Sequence, residues 1–504
     1  MNTRNNKEKI TEYLTAFAAA FIFIFVAYSL FLNDTVCYDH LDLYREIESY
    51  PFLTAERAMS YGRMGLYIFN KIFYGIMIKL GMTKLYNEGP LQIMQMGLLA
   101  LSVLTLYKMY TRKLNFRGSR IILPVIISLA FVNSFFVDNL LYVVVEYAFA
   151  IYLVTLAVGF VDRKKYIPAA LLIFVVVNIY QSYYILFYIW GTVLIFLNYD
   201  GKPSVTAFKE YIYLGITGFI PSLANVLMVK LFLNLNPGVE DMKSVTAFGS
   251  NAGQAWYKYA ISALYHSYIT QLGLGPKYFL GVVILIFAIL MLAFFVAKKM
   301  KLITVLYFAL ISAALILYGV TIFALGYDDL VPRVLFTCFA SVSGIMLMGL
   351  FHIHFQDKWL KPATMILGVT MLLDVAITKT CCTDYYVAMA HDKQMVGVIA
   401  EYIREYENET GNEVTTLATS QFDYAKRQNE YQIMEYTIPN YIQKSAHAHW
   451  CRADMINFYE GTDLVDEFIS EEAFNRVFSD VEMNEFNPDT QLVFEGDTLY
   501  WAVY

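Results

Sequence analysis

Apolar residues run through the first three quarters of the chain in blocks close to bilayer length, separated by short polar turns. About 20 apolar residues cross a membrane as a helix. Blocks of that kind lie at 12–32, 90–110, 119–137, 142–160, 166–182, 184–199, 210–233, 278–297, 302–323, 334–353 and 362–378. The pattern predicts about 11 transmembrane helices. From 379 onward it changes. Residues 388–410 carry a helical period, and VTTLAT (414–419), QLVFEG (491–496) and LYWAVY (499–504) read as strands. The expected fold class is an all-α polytopic membrane protein, residues 1–378, followed by a small α/β domain, residues 379–504.

Composition sharpens this picture. The chain has 504 residues, 58% hydrophobic and only 16% charged. Ordinary soluble domains are less apolar and more charged, so a soluble enzyme and a disordered chain are both excluded. Residues 379–504 hold 8 Lys/Arg against 23 Asp/Glu, while the first 378 hold 29 against 20. A basic membrane part and an acidic tail imply two environments, and the net charge of −6 argues against a nucleic-acid partner.

The positive charges also orient the chain. With the N-terminus inside, the cytoplasmic segments are 108–120, 161–165, 200–209, 298–301 and 354–361. Together with the N-terminal residues they hold 18 of the 29 Lys/Arg in the membrane part. That is the positive-inside bias. The first block follows Arg4, Lys7 and Lys9 but is too long for a signal peptide and lacks a cleavage site, so it reads as an uncleaved anchor. An odd span count then places the tail outside. Between the first two spans lies an outer loop, 33–89. Within it 64–80 reads as a helix in the interface plane, with Lys71 and Lys79 on one face.

Candidate chemistry gathers on the predicted outer side. The loop opens NDTVCYDHLDLYREIESYP, placing Asp34, Asp39 and Asp42 just beyond the first span, then Arg45, Arg57 and Arg63. Carboxylates serve as general bases and arginines bind phosphate bidentately. Taken alone, an ordinary solvated loop explains these charges equally well. NSFFVDNLLY (133–142) brings Asp138 and Asn139 to the mouth of two spans, and Glu146 follows inside the next one. Ionisable groups within a membrane usually mark function. NIYQSYY (178–184) supplies Tyr180 and Gln181 among aromatics, and GYDDLVPR (326–333) supplies Asp328, Asp329 and Arg333. SALYHSY (262–268) reads as another interfacial helix. Walker, GxGxxG, HExxH and CxxC motifs are all absent, which disfavours a nucleotide-driven pump. A bridge from Cys451 to Cys381 or Cys382 is an option if the tail lies in an oxidising compartment.

In this order the pieces resemble the bacterial glucosyl transferase II family of polytopic GT-C-type enzymes. The resemblance rests on Asp39-His40-Leu41-Asp42, on Gly62-Arg63 opening an amphipathic helix, and on the stretch Asn133 to Tyr142. It also rests on Tyr180-Gln181 and Pro332-Arg333. This chain departs from the family in carrying Asp39-His40 where the family has paired aspartates, and Val143 where it has an arginine. The resemblance implies transfer of a hexose, in first place glucose, from a polyprenyl-phosphate donor to a cell-surface polysaccharide outside the membrane. Asp39 is then the candidate base, with Asp42 and Asp34 as rivals. Arg63, Arg333 and Arg45 would bind the donor phosphate. Asp138, Asn139, Glu146, Tyr180 and Gln181 would shape the pocket or hold the acceptor. No metal is required, though a divalent ion is compatible. The alternatives are a lipid-linked glycan flippase and a surface-polysaccharide polymerase or acyl-modifying enzyme. A flippase fits less well because charges gather at one face and no internal repeat is visible.

Overall fold

The computed structural model describes residues 6–32, 54–79, 88–116, 118–141, 145–239, 256–320, 332–354, 357–420, 451–478 and 486–503. They form two compact units, 6–32 with 54–379, and 380–503.

Among its described residues the first unit contains helices joined by turns and no strand. In chain order it contains α1 (Asn6–Tyr28), α2 (Ala55–Ser60), α3 (Met64–Lys79), α4 (Glu88–Tyr110), α5 (Ser119–Ser128), α6 (Val137–Leu141), α7 (Val145–Asp162), α8 (Tyr166–Ile179) and α9 (Tyr184–Asn198). Then come α10 (Val205–Leu235), α11 (Trp256–Tyr268), α12 (Phe279–Ala297), α13 (Leu302–Tyr318), α14 (Pro332–Leu335), α15 (Thr337–Ile353) and α16 (Asp357–Thr410). Seven described segments are long and apolar enough to cross a membrane: Lys7–Leu32, Gly89–Tyr110, Val145–Asp162, Val205–Leu235, Phe279–Ala297, Arg333–Ile353 and Lys358–Thr410. Three apolar helices are shorter, α5, α8 and α13. Leu171, Phe208, Val296, Leu310 and Leu372 all stand exposed on these helices. Water would penalise that much bare apolar surface, whereas lipid does not. This is a mostly α-helical membrane protein.

α15 is the central helix. Its span is 89% buried, against 33% for α12. The small residues Ala340, Ser341, Ser343 and Gly344 let its neighbours approach closely, as is usual between membrane helices. Ser343 Oγ donates to the Ile126 carbonyl of α5 at 2.7 Å, and a Cβ on Gly344 would meet Val193 of α9 at 2.9 Å.

The helices depart from the expected spans in two places. The block 119–137 is not one helix. α5 stops at Ser128, turns fill 129–136, and α6 restarts at Val137. Asn133 explains the break. Its side chain donates back to the Leu129 carbonyl at 3.0 Å and accepts from the Phe136 amide at 3.0 Å. An asparagine that hydrogen-bonds nearby backbone competes with the helix ladder. Second, the segments 362–378 and 388–410 are one continuous helix, α16. It contributes residues up to Lys379 to the first unit and the remainder to the second. Its only proline is Pro362, in the second turn. It ends where Gly411 takes φ +74° and its amide reaches the Glu407 carbonyl at 2.9 Å, the usual left-handed helix stop.

The second unit is a four-stranded sheet packed on the end of α16. The strands are β1 (Thr416–Ser420), β2 (Val465–Ile469), β3 (Leu492–Glu495) and β4 (Thr498–Trp501), in the order β2-β1-β4-β3. β1 is parallel to β2 and β4, and β3–β4 is an antiparallel hairpin. Three of these match the expected strands. β2 was not expected, because VDEFI is an acidic, half-exposed edge segment. Two helices flank the strands, Arg452–Glu460 and Glu471–Val477. The core joins Val396, Ile399 and Ile403 of α16 to Leu417, Met455, Ile456, Leu499 and Trp501. The spacing 396, 399, 403 is one helical stripe. Among the described cysteines, no disulfide joins Cys451 to Cys381 or Cys382 in this structure. Trp501 is fully buried in this core. Trp501→Ala is expected to cost about 3–5 kcal/mol. Limited proteolysis of membranes should then cut within 380–503 while the membrane part survives.

Candidate functional site

The described site residues converge at one end of the first unit. Arg63 sits between α2 and α3, in the turn Tyr61-Gly62-Arg63. The turn follows directly from α2: the Tyr61, Gly62 and Arg63 amides reach back to the Arg57, Met59 and Ala58 carbonyls at 3.1, 3.0 and 2.7 Å. Gly62 has φ +65°, and a Cβ there would lie 2.9 Å from Asn225 Oδ1. Only glycine meets both conditions cheaply.

Two amide side chains clamp this turn. Gln181 Nε2 donates to the Tyr61 carbonyl at 2.7 Å and contacts the Gly62 carbonyl at 3.2 Å. Asn225 Nδ2, from the middle of α10, reaches the Gly62 carbonyl at 3.1 Å and the Val177 carbonyl at 3.0 Å. The result fixes where Arg63 points. Its guanidinium carbon lies 5.4 Å from the Tyr61 ring centroid and 4.9 Å from that of Tyr180, in cation–π range. Its Nε is buried and has no hydrogen-bond partner among the described residues.

Tyr180 belongs to a group of three tyrosines. Its ring lies 4.8 Å from Tyr147 of α7 and 4.9 Å from Tyr183, and Tyr147 lies 5.6 Å from Tyr183. From Tyr183 the network reaches the second arginine. The Tyr183 hydroxyl donates to Asn139 Oδ1 at 2.6 Å, and Asn139 Nδ2 donates to the Arg333 carbonyl at 3.2 Å. Arg333 Nη1 lies 4.0 Å from Asp138 Oδ2. The charges of Arg63 and Arg333 both act on the Tyr147 phenol. Two cations from distant parts of the chain therefore flank one tyrosine cluster. Asp138 stands on α6, outside the spans. Burial raises its carboxyl to about 6, and the neighbouring Arg333 pulls partly the other way.

Glu146 lies one residue from Tyr147 but faces α3. Tyr74 donates to its carboxylate at 3.5 Å, and Asn70 hydrogen-bonds it as well. Glu146 thus docks α3 on α7 in this structure. The structure brings together Arg63, Arg333, Asp138, Asn139, Tyr180 and Gln181. It adds Tyr147, Tyr183 and Asn225, which sequence reasoning passed over. Asn225 carried a signal all the same, as a lone amide in an otherwise apolar stretch of α10. Asp34, Asp39, Asp42 and Arg45 lie outside the described residues, as do Asp328 and Asp329.

The arrangement suits an anion. A buried guanidinium NH without an acceptor is a standing demand for an oxyanion, and the aromatic walls suit a sugar ring or lipid headgroup. The model of one protein family, glucosyl transferase GtrII, matches residues 28–328. The match takes in Arg63, Asp138, Asn139, Tyr147, Tyr180, Gln181 and Asn225 and stops just short of Arg333. No curated protein and no solved structure matches the chain. With the matched region covering more than half its length and holding most of the site just described, the chain belongs to the glucosyl transferase GtrII family.

Proposed function

We propose that this glycosyltransferase moves a hexose, glucose in first place, from a polyprenyl-phosphate donor to a cell-surface polysaccharide on the outer face of the membrane. One observation carries the reading: the unpartnered, buried Nε of Arg63, clamped within a tyrosine cluster that Arg333 also flanks. Arginines in that setting fit a phosphate that gains charge as it leaves.

On this reading the fold is of the GT-C type with eleven crossings. The N-terminus is cytoplasmic, and the domain from residue 379 onward is extracytoplasmic. The donor's sugar lies at the outer headgroup level, its phosphate against Arg63 and Arg333, with Arg45 as a further candidate. Asp39 takes the proton from the acceptor hydroxyl, with Asp42 and Asp34 as the other candidates. The acceptor oxygen bonds to the anomeric carbon, and the bond from that carbon to the phosphate oxygen breaks. Its electron pair stays on the polyprenyl phosphate. Asp138, Asn139, Tyr180 and Gln181 shape the pocket, while Glu146 supports it by docking α3 on α7. The leaving phosphate carries its own charge, so the reaction as drawn needs no metal.

The test is a transfer assay on membranes containing the protein. Polyprenyl-phosphate glucose with labelled sugar is supplied with surface glycan. Label in the glycan with wild type, and none with Asp39→Asn, is the expected result. Absence of transfer from every polyprenyl-phosphate hexose, with folded protein present, would overturn the reading.

Asn225 acts on the same assay through Arg63. Asn225→Ala removes the donor that holds the Gly62 carbonyl. A shift of about 1 Å in a catalytic group costs up to ~100-fold in rate. The variant is expected to lose tenfold or more in kcat while remaining folded in the membrane, with a lowered melting temperature because the buried Gly62 and Val177 carbonyls lose a donor. In an Arg63→Gln background, Asn225→Ala should add little further loss.

A further inference from the structure

At the opposite end of α1, α4 and α7 from the tyrosine cluster lies a second polar cavity, of about 430 Å³. Tyr147 and Arg163 are sixteen residues apart on and just beyond α7, so the two sites are separated by roughly 24 Å along that helix. This is close to the thickness of a hydrocarbon core.

The cavity combines three cations with two acids whose charges are already engaged. Asp162 is held by Arg112 at 2.5 Å and by Asn198 Nδ2 at 3.2 Å. Glu12 accepts from the Tyr107 hydroxyl at 3.0 Å and lies 3.9 Å from Arg120. Lys108 and Arg163 also line the cavity and have no carboxylate partner among the described residues. Lys108 Nζ instead sits 4.7 Å over the Tyr13 ring. Met109, Leu156 and Phe160 add apolar lining beside the polar Thr105, Thr111 and Asn115. Exposed Leu14 and Leu101 continue the apolar surface on the two flanking helices, α1 and α4.

We propose that this cavity binds an anionic phospholipid of the leaflet at that end, its phosphate between Lys108 and Arg163 and its first acyl carbons against Met109, Leu156 and Phe160. A basic pocket between membrane helices on the cytoplasmic side is a recurring form of lipid headgroup site. The apolar part of the lining favours a lipid over a free anion, which would gain nothing from Phe160 or Leu156. The pocket is distinct from the donor site, so its occupant is not the substrate.

The test uses the full-length protein purified in neutral detergent and observed by native mass spectrometry. Phosphatidylglycerol and phosphatidylcholine are the probes. Wild type should retain one phosphatidylglycerol more than the Lys108→Gln/Arg163→Gln variant, with no difference for phosphatidylcholine. Phosphatidylglycerol should also raise the melting temperature of wild type and not of that variant. A control, Lys113→Gln/Lys164→Gln, removes two cations from the same end outside the cavity and should behave as wild type. Equal phosphatidylglycerol retention by wild type and the cavity variant would overturn the proposal. So would an equal loss in the control, which would mark a diffuse charge effect. Millimolar inorganic phosphate should leave the bound lipid in place, and its displacement would show a free-anion site instead. None of these readouts depends on sugar transfer, so failure here is separable from failure of the transferase reading.

Discussion

Arg63→Gln is expected to lower sugar transfer at least a hundredfold while leaving the protein folded and in the membrane. Removing one oriented donor from a developing oxyanion costs about 10²–10³ in kcat. Arg63 is oriented more firmly than most. Its turn is held by Gln181 and Asn225, its guanidinium packs against Tyr61 and Tyr180, and its Nε has no protein acceptor to satisfy. In the free enzyme that NH is an unmet donor, so the loss on substitution falls on the bound states. On the proposed reaction the leaving phosphate gains charge in the transition state, so the loss should appear mainly in kcat, with a smaller rise in KM. Arg63→Lys is not a conservative control. A lysine ammonium lacks the planar face that packs on Tyr180 and the fixed geometry of the fork, and it is expected to recover only a small part of the rate. Initial rates with labelled donor, alongside a thermal melt of each variant, decide the matter. A rate within threefold of wild type for Arg63→Gln would place the phosphate elsewhere.

Gly62-Arg63 and Tyr180-Gln181 show what a sequence makes legible. Over a hundred residues separate them, yet each stands out locally: a glycine before an arginine at a helix start, and an amide among aromatics at a hairpin. Their contact across Tyr61 could not be read from either. Asn225 escaped because a single amide in the apolar middle of a 31-residue helix does not disturb the hydropathy that marks the helix. Its partners are backbone carbonyls, which carry no residue identity. Tyr147 escaped for a related reason, since tyrosines are routine at a membrane interface. The helical segments were legible because burial in lipid demands long apolar runs. The break after Ser128 was not, because it depends on where Asn133 directs its hydrogen bonds. α16 reads as two segments because hydropathy falls after 378, but helix propensity does not fall with it. The edge strand β2 was hidden by its two acids.

Arg333→Gln is expected to be nearly as damaging as Arg63→Gln, and it carries a signature in pH. Arg333 is the charged neighbour of the buried Asp138 carboxyl and the backbone anchor of Asn139. Breaking a buried ion pair by removing one partner costs about 3–5 kcal/mol. Here the distance is 4.0 Å and the arginine is 35% exposed, so solvent screening reduces that cost, and the lower end or less is expected. Burial holds the Asp138 carboxyl above the usual carboxylate range, at about 6, even with Arg333 beside it. A carboxyl raised in the folded state favours folding while protonated. Its contribution is therefore present below pH 4 and is lost as pH rises towards 6. Taking Arg333 away removes the attraction that stabilises the ionised form. The carboxyl should move higher still, and the loss of stability should extend above pH 6. Measured against Asp138→Asn from pH 4.5 to 8, the melting temperature of wild type should fall up to about pH 6 and then hold a constant offset. Measured against Arg333→Gln/Asp138→Asn, that of Arg333→Gln should keep falling to higher pH. The double variant Arg333→Gln/Asp138→Asn should recover the stability lost by Arg333→Gln without recovering transfer, because no charge is stranded yet the phosphate still lacks its second cation. Recovery of transfer in the double variant would mean that Arg333 serves only to hold Asp138. The phosphate role would then rest on Arg63 alone.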